Sequence, residues 1–195
     1  MLFKHPMIRA ASAAVGLVAV VLLSPGCIFS PDSSNGTGPG PTTVPLRNSV
    51  QGAIDLYAYV WTNKDYDRYQ QVLNNDFEYF PQTVDLHDFP WLTGDSWGRT
   101  EELQMAHNMF NPDFQPSDPH AGSIDSIKMT LQVLSQEDDP QRGGVVVTTH
   151  AQVQVLYDAS NGASADVRFE FLVVPDPAGG GLYQIKQQKE LALNH

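Results

Sequence analysis

The spacing of apolar residues changes once along the chain, from a helical period before residue 111 to a two-residue alternation after residue 122. The helical part begins with a one-sided stripe formed by Val50, Ala53, Ile54, Tyr57, Ala58 and Trp61. Asn63-Lys64-Asp65 interrupts this stripe, and Asp65 is placed to cap a second helix that carries Tyr66, Tyr69 and Leu73. The pattern therefore predicts two consecutive helices, each with an apolar side to bury.

A short strand and a third helix are predicted next. Asn74-Asn75-Asp76 indicates a turn into the aromatic strand Phe77–Phe80, which Pro81 ends. We expect Thr100 to cap a third helix that Asn111-Pro112 stops, with Leu103, Ala106, Met109 and Phe110 on its apolar side. The segment 81–98 between them predicts a long loop that packs its aromatic residues over an apolar surface.

The second half of the folded part predicts a sheet. Apolar and polar residues alternate over 123–135, 145–157, 165–174 and 182–191, and turn residues separate these runs. His150 falls on the polar side of its strand with Thr148, Gln152 and Gln154. Four such strands predict an antiparallel meander with one face exposed to solvent. The fold class is therefore α+β, with N-terminal helices packed on a curved, mostly antiparallel sheet.

The N-terminus has the form of a targeting segment. Lys4, His5 and Arg9 precede the apolar run Ala10–Leu23, and the only cysteine of the chain, Cys27, follows shortly after. Ser24-Pro25-Gly26-Cys27 resembles the lipobox of bacterial lipoproteins, and that resemblance implies cleavage before Cys27 and its lipidation. The alternative is an ordinary secretory signal with an incidental cysteine. We therefore predict a signal peptide over 1–26, a lipidated Cys27 with a Ser/Gly/Pro-rich tether to residue 45, and one domain over 46–195.

Charge and composition narrow the partners. A net charge of −11 argues against binding to nucleic acid and against electrostatic binding to anionic lipids. The predicted membrane anchor is therefore the acyl chain on Cys27. A single cysteine excludes an intramolecular disulfide and a thiolate metal cluster. The histidines lack the spacing of a metal site, and no cofactor fingerprint is present, so we expect neither a metal nor a cofactor.

Three short motifs in order resemble the nuclear-transport-factor-two-like, or SnoaL-like, superfamily. Tyr59–Tyr66 resembles its W-x-x-x-D helix break, Leu73–Phe77 its L-x-x-D-F entry into the first strand, and Gly98–Glu102 the start of its third helix. The resemblance covers about residues 47–191. It implies a cone-shaped barrel in which the sheet curls around the long helix and leaves a pocket between them.

The same resemblance implies where a catalytic base would stand, just past the first strand. Tyr79-Phe80-Pro81-Gln82 contains no carboxylate there, and Asp85 is the next one, so we predict no catalytic residue. The candidate ligand-binding residues are the aromatic residues and one methionine that could line the pocket: Tyr57, Trp61, Tyr69, Phe77, Tyr79, Trp91, Trp97, Met109 and Phe110. Ordinary core packing is the alternative role for all of them.

These features predict a lipid-anchored domain of a bacterial cell envelope, facing the periplasm or the exterior, that binds a small apolar ligand or a protein partner without catalysis. One alternative is a SnoaL-like isomerase, cyclase or dehydratase that uses Asp85, Asp88 or His87 from the loop. Another is a structural module that forms a homodimer through its polar sheet face.

Overall fold

The computed structural model describes residues 43–114, 123–157 and 161–192, so Cys27 and the tether up to residue 42 lie outside the described residues. Helix α1 spans Val50–Asn63 and helix α2 spans Tyr66–Val72. Ser49 Oγ accepts from the Gly52 N–H at 3.0 Å, and Asp65 Oδ1 accepts from the Arg68 N–H at 3.1 Å, so each helix has a capped start. Lys64 ends α1 with a left-handed backbone, φ 52°, which confirms the predicted break between the helices.

The first strand is longer than predicted. Strand β1 spans Leu73–Phe80, so Leu73 opens a strand instead of ending α2, and the predicted turn at Asn74-Asn75-Asp76 is part of that strand. The reason is that Asn74 makes its turn within the strand: its Oδ1 accepts from the Asp76 N–H at 3.0 Å, and the pairing of β1 is irregular between Leu73 and Glu78.

The predicted loop 81–98 contains structure of its own. A 3-10 helix spans Thr83–Asp88, and the two-residue strand β2, Trp97–Gly98, pairs antiparallel with β1. Helix α3 follows at Arg99–Phe110. The predicted cap at Thr100 is wrong, because Gly98 occupies the capping position and no side chain of the described residues caps the helix. The predicted stop is confirmed at Asn111.

The four long strands form the predicted meander. They span β3 Ser126–Asp139, β4 Gly144–Leu156, β5 Gly162–Pro175 and β6 Tyr183–Leu191. The six-stranded sheet has the order β2-β1-β6-β5-β4-β3 and is antiparallel except where β1 runs parallel to β6. The connection between the predicted strands 123–135 and 145–157 is shorter than expected, because pairing between β3 and β4 continues to Asp139 and Gly144. The predicted α+β fold with a mostly antiparallel sheet is confirmed, and the sheet is open.

Two β-bulges change which residues of β3 and β6 face the core. Val133 pairs with Thr149 and Ser135 with Thr148, so Leu134 is an extra residue in β3 and is 46% exposed. Val173 pairs with Ile185 and Leu172 with Gln187, so the β6 residue between those partners is unpaired. Beyond each bulge the alternation of inward and outward side chains is shifted by one residue.

The core lies between the helices and the inner face of the sheet. Ala53, Ile54 and Tyr57 of the predicted stripe are buried, but so are Leu56 and Val60, so the buried side of α1 is wider than predicted. Alternation over the predicted strands places one side chain in two towards the core, and the burial of Val147, Ala151 and four alternate residues of β5 confirms it: Val167, Phe169, Phe171 and Val173. His150 lies on the outer, polar face as predicted, with its Nε2 3.2 Å from Asp166 Oδ1.

The segment before α1 packs against the domain and is hydrogen-bonded to it. Val44 packs against the core, Arg47 Nη1 is 2.5 Å from Asp176 Oδ2, and the Tyr183 N–H donates to the Arg47 carbonyl at 2.8 Å. The packed chain therefore begins slightly before the predicted boundary at residue 46. Among the described residues, no helix is long and apolar enough to cross a membrane.

Candidate functional site

The predicted pocket residues lie in two neighbouring clusters. The first lies between α1, α2 and α3, where the rings of Tyr57, Trp61, Tyr69 and Phe110 meet edge to face or tilted. The Trp61 ring centroid is 5.2 Å from that of Phe110 and 5.5 Å from that of Tyr69. Tyr57 and Tyr69 are at most 1% exposed. These rings fill the space between helices and sheet with the chain's own side chains.

The second cluster lies beneath the loop 81–98. Phe89 and Trp97 are buried there, and Tyr79, Trp91, Leu92 and Met105 pack around them. Tyr79 stacks on Trp97 with 4.2 Å between ring centroids, because β1 and β2 pair these two residues directly. The indole Nε1 of Trp91 is buried without a hydrogen-bond partner among the described residues. Of the other candidates, Phe77 is buried in the main core and Met109 is half-buried against it.

A buried carboxyl stands between the two clusters. Glu102 lies in the first turn of α3 and is 5% exposed, and its two oxygens accept from the Tyr69 hydroxyl and, at 2.8 Å, from Trp97 Nε1. Burial raises the pKa of Glu102 above its usual value, while the hydrogen bonds from Tyr69 and Trp97 act in the opposite direction. No described cation forms an ion pair with Glu102. Burial outweighs the two hydrogen bonds, so the pKa of Glu102 lies above its usual value.

A second buried carboxyl comes from the last strand. Glu190 is 6% exposed, and its Oε2 lies 3.4 Å from the Tyr79 hydroxyl that can donate to it. Burial raises the pKa of Glu190, and the nearby Asp85 carboxyl raises it further. Beside it, Gln188 Oε1 accepts from the Tyr57 hydroxyl at 2.6 Å. The interior thus holds three tyrosine hydroxyls, each pointed at a buried acceptor.

The sequence prediction missed Glu102, Gln188 and Glu190. Glu102 lies one turn before the apolar residue Ala106 and so faces the same way, which was the available signal for its burial. In β6, simple alternation from Ile185 would turn Gln188 and Glu190 outward. The bulge at the unpaired β6 residue turns both of them inward.

The loop residues of the enzymatic alternative lie together in the 3-10 helix, where His87 faces solvent. The His87 side chain is 73% exposed, its Nδ1 lies 2.7 Å from the Val84 carbonyl, and its Nε2 is 3.1 Å from Asp88 Oδ1. Asp85 is near enough to Glu190 to raise the pKa of that group. Burial raises the pKa of Asp85 as well, followed by the neighbouring Asp88. Within the described ranges, no group of three or more histidine, cysteine or acidic side chains is arranged to hold a metal ion.

This arrangement can hold protons and offer hydrogen bonds in an apolar setting. A protonated carboxyl donates one hydrogen bond and accepts others, and a raised pKa keeps a carboxyl protonated to a higher pH than an exposed one. The tyrosines stay protonated, because burial also raises the pKa of Tyr57, Tyr69 and Tyr79. The aromatic cluster beneath the loop supplies the apolar surface beside these groups.

No protein-family model and no curated protein matches the sequence. Solved structures do match in fold. A protein from Novosphingobium aromaticivorans provisionally named an aromatic ring hydroxylase is 11% identical, with a TM-score of 0.55 over 80% of this chain and 94% of that one. ActVI-ORFA from Streptomyces coelicolor is 12% identical, with a TM-score of 0.50 over 73% and 92%.

A nuclear transport factor 2-like superfamily protein from Salmonella enterica is 10% identical, with a TM-score of 0.49 over 73% of this chain and 87% of that one. The predicted resemblance to nuclear-transport-factor-two-like, or SnoaL-like, proteins is confirmed at the level of the fold.

Proposed function

We propose that this chain is a lipid-anchored, non-catalytic binding domain of a bacterial cell envelope, and that it binds a small apolar ligand carrying one hydrogen-bond acceptor. Trp91 Nε1 carries the proposal, because a buried donor without a partner is costly and a ligand acceptor would satisfy it. The surrounding rings of Phe89 and Trp97 offer the apolar contact such a ligand needs.

The position of Trp91 in the chain supports this assignment. Trp91 belongs to the loop 81–98, whose buried residues form a cluster apart from the main core. A loop that packs its own rings can open more easily than paired strands can, because fewer contacts must be lost. The ligand would therefore enter beneath the loop and lie near Tyr79 and Glu190.

The test is a fluorescence titration of a chain that starts at Thr43, using an anilinonaphthalene dye and a medium-chain fatty acid as probes. We expect saturable binding with a Kd of about 1–100 μM. Trp91→Phe keeps the ring bulk and removes the indole N–H, so it should weaken binding of the fatty acid about tenfold. Trp61→Phe is the matched control, since Trp61 Nε1 is also buried and unpartnered but lies in the other cluster. Equal effects of both variants, or no effect of either, would overturn the proposal.

A second candidate function is proton transfer, and Glu102 favours it. A buried carboxyl with a raised pKa, oriented by Tyr69 and Trp97, has the properties of a general acid or base for an apolar substrate. This changes the residues of the enzymatic alternative from Asp85, Asp88 or His87 to Glu102 and Glu190. Deuterium exchange at acidic C–H positions of a cyclic ketone would test it by NMR. Exchange that is faster with the protein and lost in both Glu102→Gln and Glu190→Gln would support catalysis.

A further inference from the structure

The outer face of the sheet carries a cleft that is separate from the interior site. It measures about 190 Å³, and its lining residues are Phe80, Arg142, Glu170, Leu172, Gln187 and Lys189. They come from β1, from the turn between β3 and β4, and from the outward positions of β5 and β6. An apolar floor and charged walls therefore meet in one cleft.

The floor is protected by the turn between β3 and β4. Leu172 points outward from β5 but is only 2% exposed. The start of β4 lies close over it, since a Cβ at Gly144 would come within 3.2 Å of Leu172 Cδ1 and 2.4 Å of the Val173 carbonyl oxygen. Only glycine allows this approach, and it places an apolar surface at the bottom of the cleft.

Arg142 forms one wall. Its Nε donates to Asp139 Oδ2 at 2.6 Å, and its Nη1 donates to Gln187 Oε1 at 3.2 Å. The guanidinium thus crosses β5 to reach β6 and is fixed at both ends. Its Nη2 makes no hydrogen bond among the described residues, so that donor is available to a ligand.

Two opposite charges form the other wall without pairing. Glu170 and Lys189 face each other in the register of β5 and β6, and Glu170 is half-buried whereas Lys189 is exposed. No ion pair or hydrogen bond within the described ranges joins either side chain to another residue. The cleft therefore offers a free ammonium, a free carboxylate and a fixed guanidinium above an apolar floor.

From this juxtaposition we propose that the cleft binds a free α-amino acid with an apolar side chain. The ligand carboxylate lies between Lys189 and Arg142, its ammonium meets Glu170, and its side chain rests on Leu172 and Phe80. The volume fits, because an apolar cavity of about 150 Å³ already holds a benzene ring. This inference concerns the outer face and does not depend on the proposed interior ligand.

The charges favour a zwitterion over related ligands. The chain has a net charge of −11, so its overall field repels a simple anion, whereas a zwitterion carries no net charge. The C-terminus of a peptide would supply a carboxylate and a side chain but only a neutral amide nitrogen, and Glu170 would stay unpaired. A free amino acid satisfies every charged group of the cleft.

The experiment uses the full chain in detergent micelles, with L-leucine as the probe and binding followed by titration calorimetry. N-acetyl-L-leucine lacks the ammonium and L-leucine amide lacks the carboxylate, so each should bind at least tenfold more weakly than L-leucine. Glu170→Gln should weaken L-leucine tenfold and abolish its advantage over the N-acetyl form. Lys189→Gln should do the same for the amide. Lys128→Gln, on the outer face of β3 and away from the cleft, should leave the Kd unchanged.

Several outcomes would overturn the inference. These are the absence of saturable binding of L-leucine up to about 50 mM, equal binding of N-acetyl-L-leucine, which would indicate chain ends as ligands, and an unchanged Kd in the two cleft variants. If one variant fails to fold, as judged by circular dichroism, the other still tests the proposal, because each removes a different charge and predicts a different loss of discrimination.

Discussion

Replacing Glu102 by glutamine should change how stability depends on pH. Glu102 is buried with two hydrogen-bond donors, the Tyr69 hydroxyl and Trp97 Nε1, and no described cation pairs with it. Burial raises its pKa in the folded chain. Glutamine has nearly the same shape and cannot ionise, so the variant removes the titration while keeping most of the packing.

The direction of the pH dependence follows from whether the folded or the unfolded chain binds the proton more tightly. A carboxyl with a raised pKa keeps its proton longer in the folded chain, so stability is greatest below the unfolded pKa of about 4.3 for glutamate. As the pH rises from there towards the folded pKa, each such group lowers the free energy of unfolding by about 1.4 kcal/mol per pH unit. Glu190 has a pKa shifted in the same direction, so the two together give about 2.7 kcal/mol per unit where their windows overlap.

Urea unfolding of a chain starting at Thr43, repeated between pH 4 and pH 8, measures this slope. We expect stability to fall with rising pH in the wild type and to fall less steeply in Glu102→Gln, in which Glu190 and Asp85 still titrate with raised pKa values. The titration of Asp176 does not contribute to this slope. The Ala178 N–H and then Arg47 lower its pKa, so its contribution is lost only below the ordinary aspartate value of about 3.9. A wild-type stability that is flat or rises as the pH increases above about 4.3, or an identical slope in the variant, would refute a raised pKa for Glu102.

Three further predictions follow from other parts of the chain. Gly52→Ala should destabilise the domain in thermal melting despite the better helix propensity of alanine, because its Cβ would meet the Leu46 carbonyl oxygen at 2.0 Å; Gly94→Ala, with nothing within 4 Å, is the control and should be neutral. Arg47→Ala should lower the free energy of unfolding by about 1 kcal/mol, since it removes a partly exposed ion pair with Asp176. Asp176→Asn should cause a similar loss, and a double variant that loses no more than either single variant would show that the pair is the cause. Mass spectrometry of the membrane fraction should show a diacyl- or triacylglyceryl-modified Cys27 at the mature N-terminus, and a mature chain that starts elsewhere or has a free Cys27 thiol would contradict this.

The sequence was sufficient for the fold because each element bears a local pattern that tertiary packing did not override. The helix break at Asn63-Lys64-Asp65 depends on a cap and a left-handed residue, both of which are properties of the residues themselves. The long strands depend on alternation over nine or more residues, which a helix cannot satisfy. The errors lie at element ends, as at Thr100, where a backbone-only start replaced the expected capping side chain.

The candidate site could not be predicted in the same way, because it depends on irregularities that leave no simple pattern. The bulge at the unpaired β6 residue reverses the facing of Gln188 and Glu190, and nothing in the alternation of β6 marks where it occurs. Glu102 has the composition of an ordinary first-turn acid, and only the packing of Trp97 over it through β2 makes it a buried one. The acidic residues can be identified in the sequence, but the residues that bury them cannot.

The two buried carboxyls also separate the binding proposal from the alternative of a structural module. A carboxyl buried without a cation reduces stability at neutral pH, and an amide or an apolar residue of similar volume would serve a purely structural core better. Glu102→Gln and Glu190→Gln should therefore both be tolerated in folding. If the module is structural, neither variant should change anything except stability and its pH dependence. If the interior binds a ligand beneath the loop, Glu190→Gln should alter the affinity for acceptor-bearing ligands near Tyr79, whereas Glu102→Gln, whose two oxygens are already engaged by Tyr69 and Trp97, should alter it less.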